Sequence, residues 1–312
     1  MFNEKLADPF SNKVNSLHNK SEFMSGLHPL TSLIYFMAVL SVVMFIFHPV
    51  FLLISTISGI IYYIILKHKN FTNTSLLFLI PIFIFITFFN PLFNHNGNTV
   101  LFSIFNTPIT LEALIYGLFS AFLFVASIIW FSCFSVIFDS EKIIFVFGKS
   151  LPTLSMLLCM IFRLIPKFKR RLTDIMQTKK AAHTKHSNKK DKLSYMLENF
   201  SLMSALSLES SLTTTDSMCS RGFGLKKRSC FSIYKYNSKD IVYTILSVSL
   251  LLFTFICFYT LDLKSSYFPN FEIPSLTTYS VIPYISYFLL AFLPILFQLL
   301  EDLKWHFWKS KI

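Results

Sequence analysis

Apolar stretches long enough to cross a lipid bilayer constrain this 312-residue chain more than any other feature. A spanning helix needs about 20 mostly apolar residues and satisfies its backbone polar groups within the segment. Stretches this long and unbroken argue against the short alternating strands of a membrane β-barrel. The sequence therefore predicts an all-α polytopic membrane protein with about six spans: Leu30–Phe47, Val50–Leu66, Ser75–Phe89, Leu111–Phe138, Ile241–Leu261 and Tyr279–Leu300.

Composition supports a membrane protein. Only 14% of the residues are charged, whereas a soluble globular chain carries about 25%. His48 and Pro49 alone separate the first two spans, which predicts a tight helical hairpin. The third span is expected to be short and broken by Pro81, because proline removes a backbone donor and clashes with the preceding turn.

Lysines and arginines in the short loops orient the spans, because cytoplasmic loops are enriched in them. Lys67 and Lys69 follow the second span, whereas residues 90–110 contain neither residue type. The first of these loops is therefore predicted to be cytoplasmic and the second to face outward, with both termini cytoplasmic. Residues 1–29 contain no apolar core and predict no cleavable signal peptide. The predicted order is a cytoplasmic segment 1–29, four spans within 30–138, a cytoplasmic region 139–239, two spans within 240–300 and a cytoplasmic tail 301–312.

Positive charge is concentrated in the cytoplasmic region. Between Asp139 and Lys239 the chain has 19 lysines and arginines against 7 acidic residues, a net charge of +12 that equals the charge of the whole chain. The positive-inside rule explains the sign of this charge without nucleic-acid binding. It does not explain an insertion of this length, so we expect the region to dock soluble partners.

Two amphipathic helices are predicted within this region, because apolar residues recur at helical spacing along it. Pro166 is expected to kink or divide the first helix. The polar stretch Lys179–Lys192 is predicted to be a linker between the two. The apolar stripes are Leu157, Ile161, Leu164, Phe168, Leu172 and Ile175 in the first helix, and Leu193, Met196, Leu197, Phe200, Met203 and Leu206 in the second.

The second amphipathic helix is predicted to end at Ser220-Arg221-Gly222. Gly222 and Gly224 are the only glycines after Gly148, and glycine adopts the left-handed conformation that commonly ends a helix. Arg221 would then lie in the last turn, where the helix dipole favours a cation. Its planar guanidinium can bind a carboxylate or carbonyl groups of a partner.

The motifs expected of an enzyme are absent. The chain contains no G-x-x-x-x-G-K-[ST] loop, no G-x-G-x-x-G and no H-E-x-x-H. His183 and His186 lie in the polar linker without a nearby carboxylate or thiol to complete a metal site. The spans are almost free of ionisable groups, which carriers retain for transport work. We therefore predict no cofactor, no metal site and no catalytic activity of the chain by itself.

The outward loop from Asn90 to Thr99 is rich in residues that form turns, including Asn96-Gly97. It is expected to form a structured cap over two helices. A substrate contact through Asn94 or His95 is an alternative that the sequence leaves open.

These features together resemble the transmembrane T component of energy-coupling factor (ECF) transporters, relatives of the cobalt-transport permease subunit. The resemblance rests on His28-Pro29-Leu30-Thr31-Ser32-Leu33, the loop from Asn90 to Gly97, the pair of cytoplasmic helices and Ser220-Arg221-Gly222-Phe223. It covers about residues 25 to 300. It implies a scaffold in a prokaryotic plasma membrane that joins a substrate-binding S component to two ABC-type ATPase subunits.

In that family the two coupling helices end in Ala-Arg-Gly signatures that seat in grooves of the ATPases. The resemblance places the second signature at Ser220, Arg221 and Gly222, with serine in place of alanine. The first falls at Lys179, Lys180 and Ala181. There a lysine replaces the arginine fork and no glycine is present, so the first contact is expected to be weaker or displaced.

Two other functions remain compatible with the sequence. One is a polytopic membrane enzyme that acts on lipid. The other is a basic membrane-surface module that binds anionic lipid through the run from Lys179 to Lys192. The transported substrate cannot be inferred from this chain, because in the family that it resembles another subunit determines specificity. A vitamin, a vitamin precursor or a transition-metal ion would fit.

Overall fold

A computed structural model describes residues 23–66, 77–94, 97–104, 107–150, 152–181, 189–224, 234–263, 265–268 and 279–309. Its elements are almost all helical. In chain order they are α1 (Phe23–Gly26), α2 (Pro29–Phe45), α3 (Pro49–Leu66), α4 (Leu79–Phe93), β1 (Val100–Ile104), β2 (Thr107–Thr110), α5 (Leu111–Ile137), α6 (Ser140–Ser150), α7 (Pro152–Ala181), α8 (Lys189–Ser220), α9 (Ser238–Thr260) and α10 (Val281–Lys309).

The chain divides into two compact units. Unit 1 contains Met1–Asp139 and Tyr234–Ile312, and unit 2 contains Ser140–Ile233. Unit 2 is therefore an insertion between α5 and α9, and the chain passes between the units twice.

Each of the predicted spans lies on a helix of unit 1. Among the described residues, four helical segments are long and apolar enough to cross a membrane, namely Pro49–Leu66, Leu111–Ile137, Ser238–Thr260 and Val281–Glu301. The helices α2 and α4 are apolar but shorter, so their assignment as spans stays a prediction. The chain is an all-α polytopic membrane protein, with one short β-hairpin that the sequence analysis did not predict.

Pro81 does not break the third apolar stretch, contrary to the sequence-based expectation. The helix α4 begins at Leu79, so Pro81 lies in its first turn. Backbone N–H groups of the first turn have no intrahelical acceptor, and a proline there sacrifices no hydrogen bond.

The core of unit 1 is aromatic and is built by residues from most of its long helices. Trp130 of α5 is fully buried, and its indole N–H donates to the carbonyl and hydroxyl of Ser55 on α3 at 3.3 and 3.0 Å. The buried Tyr35 of α2 donates its hydroxyl to the Leu290 carbonyl of α10 at 3.3 Å. Because the polar tips of Trp130 and Tyr35 both have acceptors on another helix, these two residues join helices without leaving their own donors unsatisfied.

The turn between α2 and α3 is the tight hairpin predicted at His48-Pro49. His48 is buried, and its Nδ1 accepts the backbone N–H of Val50 at 3.3 Å while its Nε2 lies 3.2 Å from the Tyr284 hydroxyl. Burial lowers the pKa of His48 to about 4. The ring is therefore neutral at pH 7, which leaves Nδ1 free to cap α3.

The helices α4 and α5 approach closely at Gly117. A Cβ at this position would lie 2.7 Å from the Thr87 carbonyl oxygen. Pro91 lies inside α4 and lacks the N–H that would bond to this carbonyl four residues earlier. Asn90 supports the contact, since its Nδ2 lies 3.4 Å from the Ser120 hydroxyl.

The loop between α4 and α5 contains the hairpin, in which β1 pairs antiparallel with β2. Glu112 at the start of α5 anchors the approach to β1, because its carboxylate accepts the Thr99 hydroxyl at 2.9 Å. Gly97 has a φ of +141°, and a Cβ there would lie 2.6 Å from the same carboxylate. The predicted loop is shorter than expected, because α4 continues to Phe93, and residues 95–96 lie outside the described part of the chain. Its role as an outward-facing cap stays a prediction.

Unit 2 consists of α6, α7 and α8. Pro166 does not divide α7, which continues from Pro152 to Ala181. The linker is shorter than predicted, because the helices occupy 179–181 and 189–192 at its two ends. Lysines are good helix formers, so the charge of this stretch did not by itself end either helix. The remaining residues of the predicted linker lie outside the described part of the chain.

Candidate functional site

The C-terminus of α8 ends in a hydrogen-bonded glycine motif. Gly222 has a φ of +81°, the backbone N–H of Phe223 donates to the Met218 carbonyl at 3.0 Å, and that of Gly222 donates to the Cys219 carbonyl at 3.0 Å. This pair of bonds is the Schellman motif, with Arg221 at the cap position and Gly222 directly after it. The helix end predicted at Ser220-Arg221-Gly222 is confirmed.

Arg221 is exposed at this helix end. The Schellman bonds already occupy the Met218 and Cys219 carbonyls, so the guanidinium is not needed to cap them. Within the described part of the chain Arg221 forms no ion pair, and its five side-chain N–H donors are available to another molecule. A free planar cation at the tip of a helix is suited to binding a carboxylate or a set of carbonyls.

The last three turns of α8 carry many hydroxyl groups that bond to the helix itself. Thr214 donates to the Ser210 carbonyl at 2.6 Å, Thr215 to the Ser211 carbonyl at 2.9 Å, and Ser220 to the Ser217 carbonyl at 2.9 Å. The side chains of these residues are exposed, as are Leu208 and Leu212 on the same segment. The end of α8 therefore presents short side chains around Arg221, which leaves the guanidinium as the longest group there.

The first predicted signature, Lys179-Lys180-Ala181, forms the last residues of α7. The helix end falls where the resemblance places it, but no glycine follows Ala181 directly. A Schellman motif at this end would require another residue to adopt the left-handed conformation, which costs roughly 1–2 kcal/mol. The two helix ends therefore differ in sequence by one glycine, while residues 182–188 lie outside the described part of the chain.

The two helix ends cannot form one site. The helix α8 has 32 residues and is about 47 Å long at 1.5 Å per residue. The seven residues between α7 and α8 reach at most roughly 28 Å. Ala181 and Ser220 therefore lie at least about 18 Å apart. Two separate contacts, each at the end of its own helix, are the arrangement that unit 2 allows.

A cross-helix bond links α7 to α8. Arg171 Nη1 donates to the Leu206 carbonyl at 3.4 Å. Along the first halves of both helices the apolar stripes are largely exposed, including Leu157 and Ile161 on α7 and Met196 and Phe200 on α8. The sequence predicted these stripes as apolar helix faces. In their first halves, the residues named above are not covered by another described helix of unit 2.

A buried polar cluster in unit 1 was not identified from the sequence. Asp240, at the start of α9, accepts the backbone N–H of His28 through Oδ1 at 3.0 Å and that of Asn237 through Oδ2 at 2.9 Å. The His28 ring packs on Tyr236 with centroids 4.2 Å apart. His28 and Asp240 are separated by 212 residues, and no local pattern predicts such a pair.

A protein-family model described as CbiQ, cobalt transport protein, matches residues 20–231. The match covers more than half of the 312 residues.

The chain belongs to the CbiQ family.

The matched region of this CbiQ chain begins before α1 and ends after Arg221, so it includes α2 to α5 and both candidate helix ends. It leaves out α9 and α10. A comparison with curated proteins gave no match. Family membership agrees with the resemblance inferred from the sequence, and it makes the chain a multi-pass membrane component of a transport system.

Proposed function

We propose that this CbiQ chain is the T component of an ECF-type importer, which couples two ABC-type ATPase subunits to an integral S component that binds the substrate. The observation that carries the proposal is the end of α8. It combines an exposed, unpaired Arg221 with a Schellman motif at Gly222 in a unit inserted between membrane helices.

The geometry of the helix end supports docking into a groove. The helix ends at Ser220 and the Schellman motif at Gly222 closes it, so Arg221 lies at the tip of α8, where it can enter a concave surface. Arg221 can donate two parallel hydrogen bonds to a carboxylate of the partner, and such bidentate bonds are stronger than neutral ones. Excluding water from the groove would strengthen them further.

The connectivity of unit 2 supports a coupling role. The unit has its own packing and is joined to unit 1 by two peptide connections, after Asp139 and before Tyr234. A displacement of unit 2 by the ATPases would act on unit 1 through these two chain connections. The chain itself carries no ATP-binding loop, so ATP hydrolysis belongs to the partner subunits.

The two ATPase contacts are expected to differ in strength. Arg221 presents a fork of donors after a glycine-terminated helix, whereas Lys180 offers a single ammonium at a helix end without glycine. An ammonium cannot form the paired, planar hydrogen bonds of a guanidinium. We propose that Ser220, Arg221 and Gly222 form the main contact and that Lys179, Lys180 and Ala181 form a weaker one.

The cargo is proposed to be a small nutrient taken up across the plasma membrane of a prokaryotic cell, with both termini of this chain in the cytoplasm. The family's description as cobalt transport protein supports a transition-metal ion. A vitamin remains the alternative, because the S component determines specificity in such importers.

The decisive experiment is the substitution Arg221→Glu, followed by co-purification of the ATPases from membranes. We expect ATPase affinity to fall by roughly 30-fold or more, as for loss of a close charge pair worth about 2 kcal/mol. Membrane insertion should be unchanged, because Arg221 is exposed and forms no ion pair within the described part of the chain. Lys180→Glu should weaken recruitment less than Arg221→Glu.

Arg170→Glu is the matched control. Arg170 is also an exposed arginine of unit 2, and it lies eleven residues before the end of α7. It should retain ATPase binding, which separates the helix end from the general positive charge of the unit. Normal complex assembly with Arg221→Glu would refute the proposed function, and turnover of a lipid by the purified chain without ATPases would support the enzyme alternative.

A further inference from the structure

The re-entry clamp, as we name the cluster of His28, Thr31, Tyr236, Asp240 and Thr244, lies entirely within unit 1. Asp240 is 4% exposed and His28 is 6% exposed. Asp240 joins two helix N-termini, because it accepts N–H groups from the residue that precedes α2 and from the residue that precedes α9. The positive ends of both helix dipoles attract its carboxylate.

The bonds around Asp240 fix the two helices together at these ends. Nδ1 of His28 accepts the Leu30 N–H at 3.3 Å and so caps α2. The Thr31 and Thr244 hydroxyls lie 3.5 Å apart across the α2–α9 contact, and Thr244 donates to the Asp240 carbonyl. Thr31 also lies 3.5 Å from the Tyr236 hydroxyl. The cluster is thus a closed set of contacts among α2, α9 and the segment that leads into α9.

The position of the clamp in the chain gives it a mechanical consequence. The chain returns from unit 2 to unit 1 at Tyr234. Within four residues of this point Tyr234 and Tyr236 contact the His28 ring, at 6.5 and 4.2 Å between centroids, and Asn237 bonds to Asp240. A pull on this connection therefore acts first on α2 and α9.

We propose that Asp240, His28 and Tyr236 are positioning residues that pass displacement of unit 2 to α2 and α9 during the transport cycle. The inference rests on the proposed function, since it requires that ATPases move unit 2. It assigns a role to residues that lie outside the ATPase-docking helix ends. Without the clamp, displacement would reach α9 through the chain alone, and α2 would not be carried along.

The test uses the complete complex with its ATPases and compares hydrogen exchange with and without ATP. In the wild type we expect ATP to change exchange in unit 2, α2 and α9. In Tyr236→Ala and Asp240→Asn the change in unit 2 should persist, while the changes in α2 and α9 should fall by roughly fivefold or more, the lower range of coupling between sites. The two N–H groups bond to different oxygens of Asp240, and in Asn an NH2 donor replaces one of these oxygens, so one of the two bonds is lost.

Two further variants control the experiment. Lys239 directly precedes Asp240, and its Nζ forms an ion pair with the Glu301 carboxylate at 3.3 Å. Lys239→Ala removes this ion pair alone and should behave as the wild type. Thr31→Cys with Thr244→Cys places two thiols across the clamp. In the Tyr236→Ala background their disulfide should restore the ATP response of α2 and α9, and reduction should remove it again.

The outcomes separate the two proposals. A wild-type chain that recruits no ATPase overturns the proposed function. If the ATPases are recruited and the ATP response of α2 and α9 in Tyr236→Ala equals that of the wild type, the clamp proposal alone is overturned. Tyr236 is 46% exposed, so this variant decides the matter even where Asp240→Asn does not fold.

Discussion

At the scale of single residues, the presence of a glycine distinguishes the two predicted docking ends. Gly222 adopts a φ of +81° and lets α8 finish in a Schellman motif. The end of α7 at Ala181 is followed directly by no glycine. A residue with a Cβ pays roughly 1–2 kcal/mol for the left-handed conformation. Chain geometry at the cap, in addition to the charge of Arg221 or Lys180, should therefore determine how well each end docks.

Substitution of Gly222 tests this role of the backbone. Gly222→Ala should lower ATPase affinity by about tenfold, because a strain of about 1.4 kcal/mol opposes the docking conformation. Gly222→Asn should lower it less, since asparagine visits the left-handed region more readily. The measurement is a titration of the ATPases against the purified chain in detergent. Equal affinity of the alanine variant and the wild type would show that the cap geometry is not used.

At the scale of elements, the α4–α5 pair shows how a proline and a glycine cooperate. Pro91 leaves the Thr87 carbonyl without its usual helical donor, and Gly117 permits the backbone of α5 to approach that carbonyl. Small residues at helix contacts allow such close approach in membrane proteins, where packing drives helix association. The helix α4 is short, so this contact is important for holding it against the bundle.

Gly117→Ala should lower the thermal stability of the purified chain. Its Cβ would lie 2.7 Å from a backbone oxygen that no rotamer change can move, and overpacking of this kind typically costs about 1–3 kcal/mol. Gly26→Ala is the matched control, because no atom lies within 4 Å of a Cβ built there. Thermal unfolding in detergent measures both variants. A Gly117→Ala protein as stable as Gly26→Ala would mean that the helices separate without penalty.

At the scale of the whole molecule, charge and chain division coincide. Unit 2 spans Ser140–Ile233 and falls within the basic region from Asp139 to Lys239 that the sequence places in the cytoplasm. The membrane helices of unit 1 flank it on both sides in the sequence. Membership of the CbiQ family is consistent with this organisation, since the matched residues 20–231 contain the first four apolar helices and nearly all of unit 2.

Cysteine labelling in intact cells tests the predicted orientation. A membrane-impermeant maleimide should label Val100→Cys, in the loop predicted to face outward, where Val100 is 58% exposed. The native, exposed Cys219 on α8 should react only after the membrane is permeabilised. The other cysteines are replaced by serine in both proteins. Labelling of Cys219 from outside would reverse the topology and exclude docking to cytoplasmic ATPases.

The sequence alone determined the features that depend on composition and local geometry. Long apolar runs predicted helices at all the apolar stretches, because a bilayer admits few other structures. The Arg221-Gly222 pair predicted a helix end, because the left-handed conformation favours glycine. Pro81 was misjudged, because the effect of a proline depends on its distance from the helix start. Pro166 does not divide α7, and the alternative that it kinks this helix stays a prediction.

Only the tertiary structure decided the contacts between residues distant in the chain. The Thr87–Gly117 approach, the Glu112 anchor of the outer hairpin and the clamp at Asp240 each join segments that meet only when the helices pack. Asp240 is a clear case, because by sequence it is a charged residue at the start of a helix, as common as any capping residue. Its second bond, to the N–H of His28, exists because folding brings the N-termini of α2 and α9 side by side.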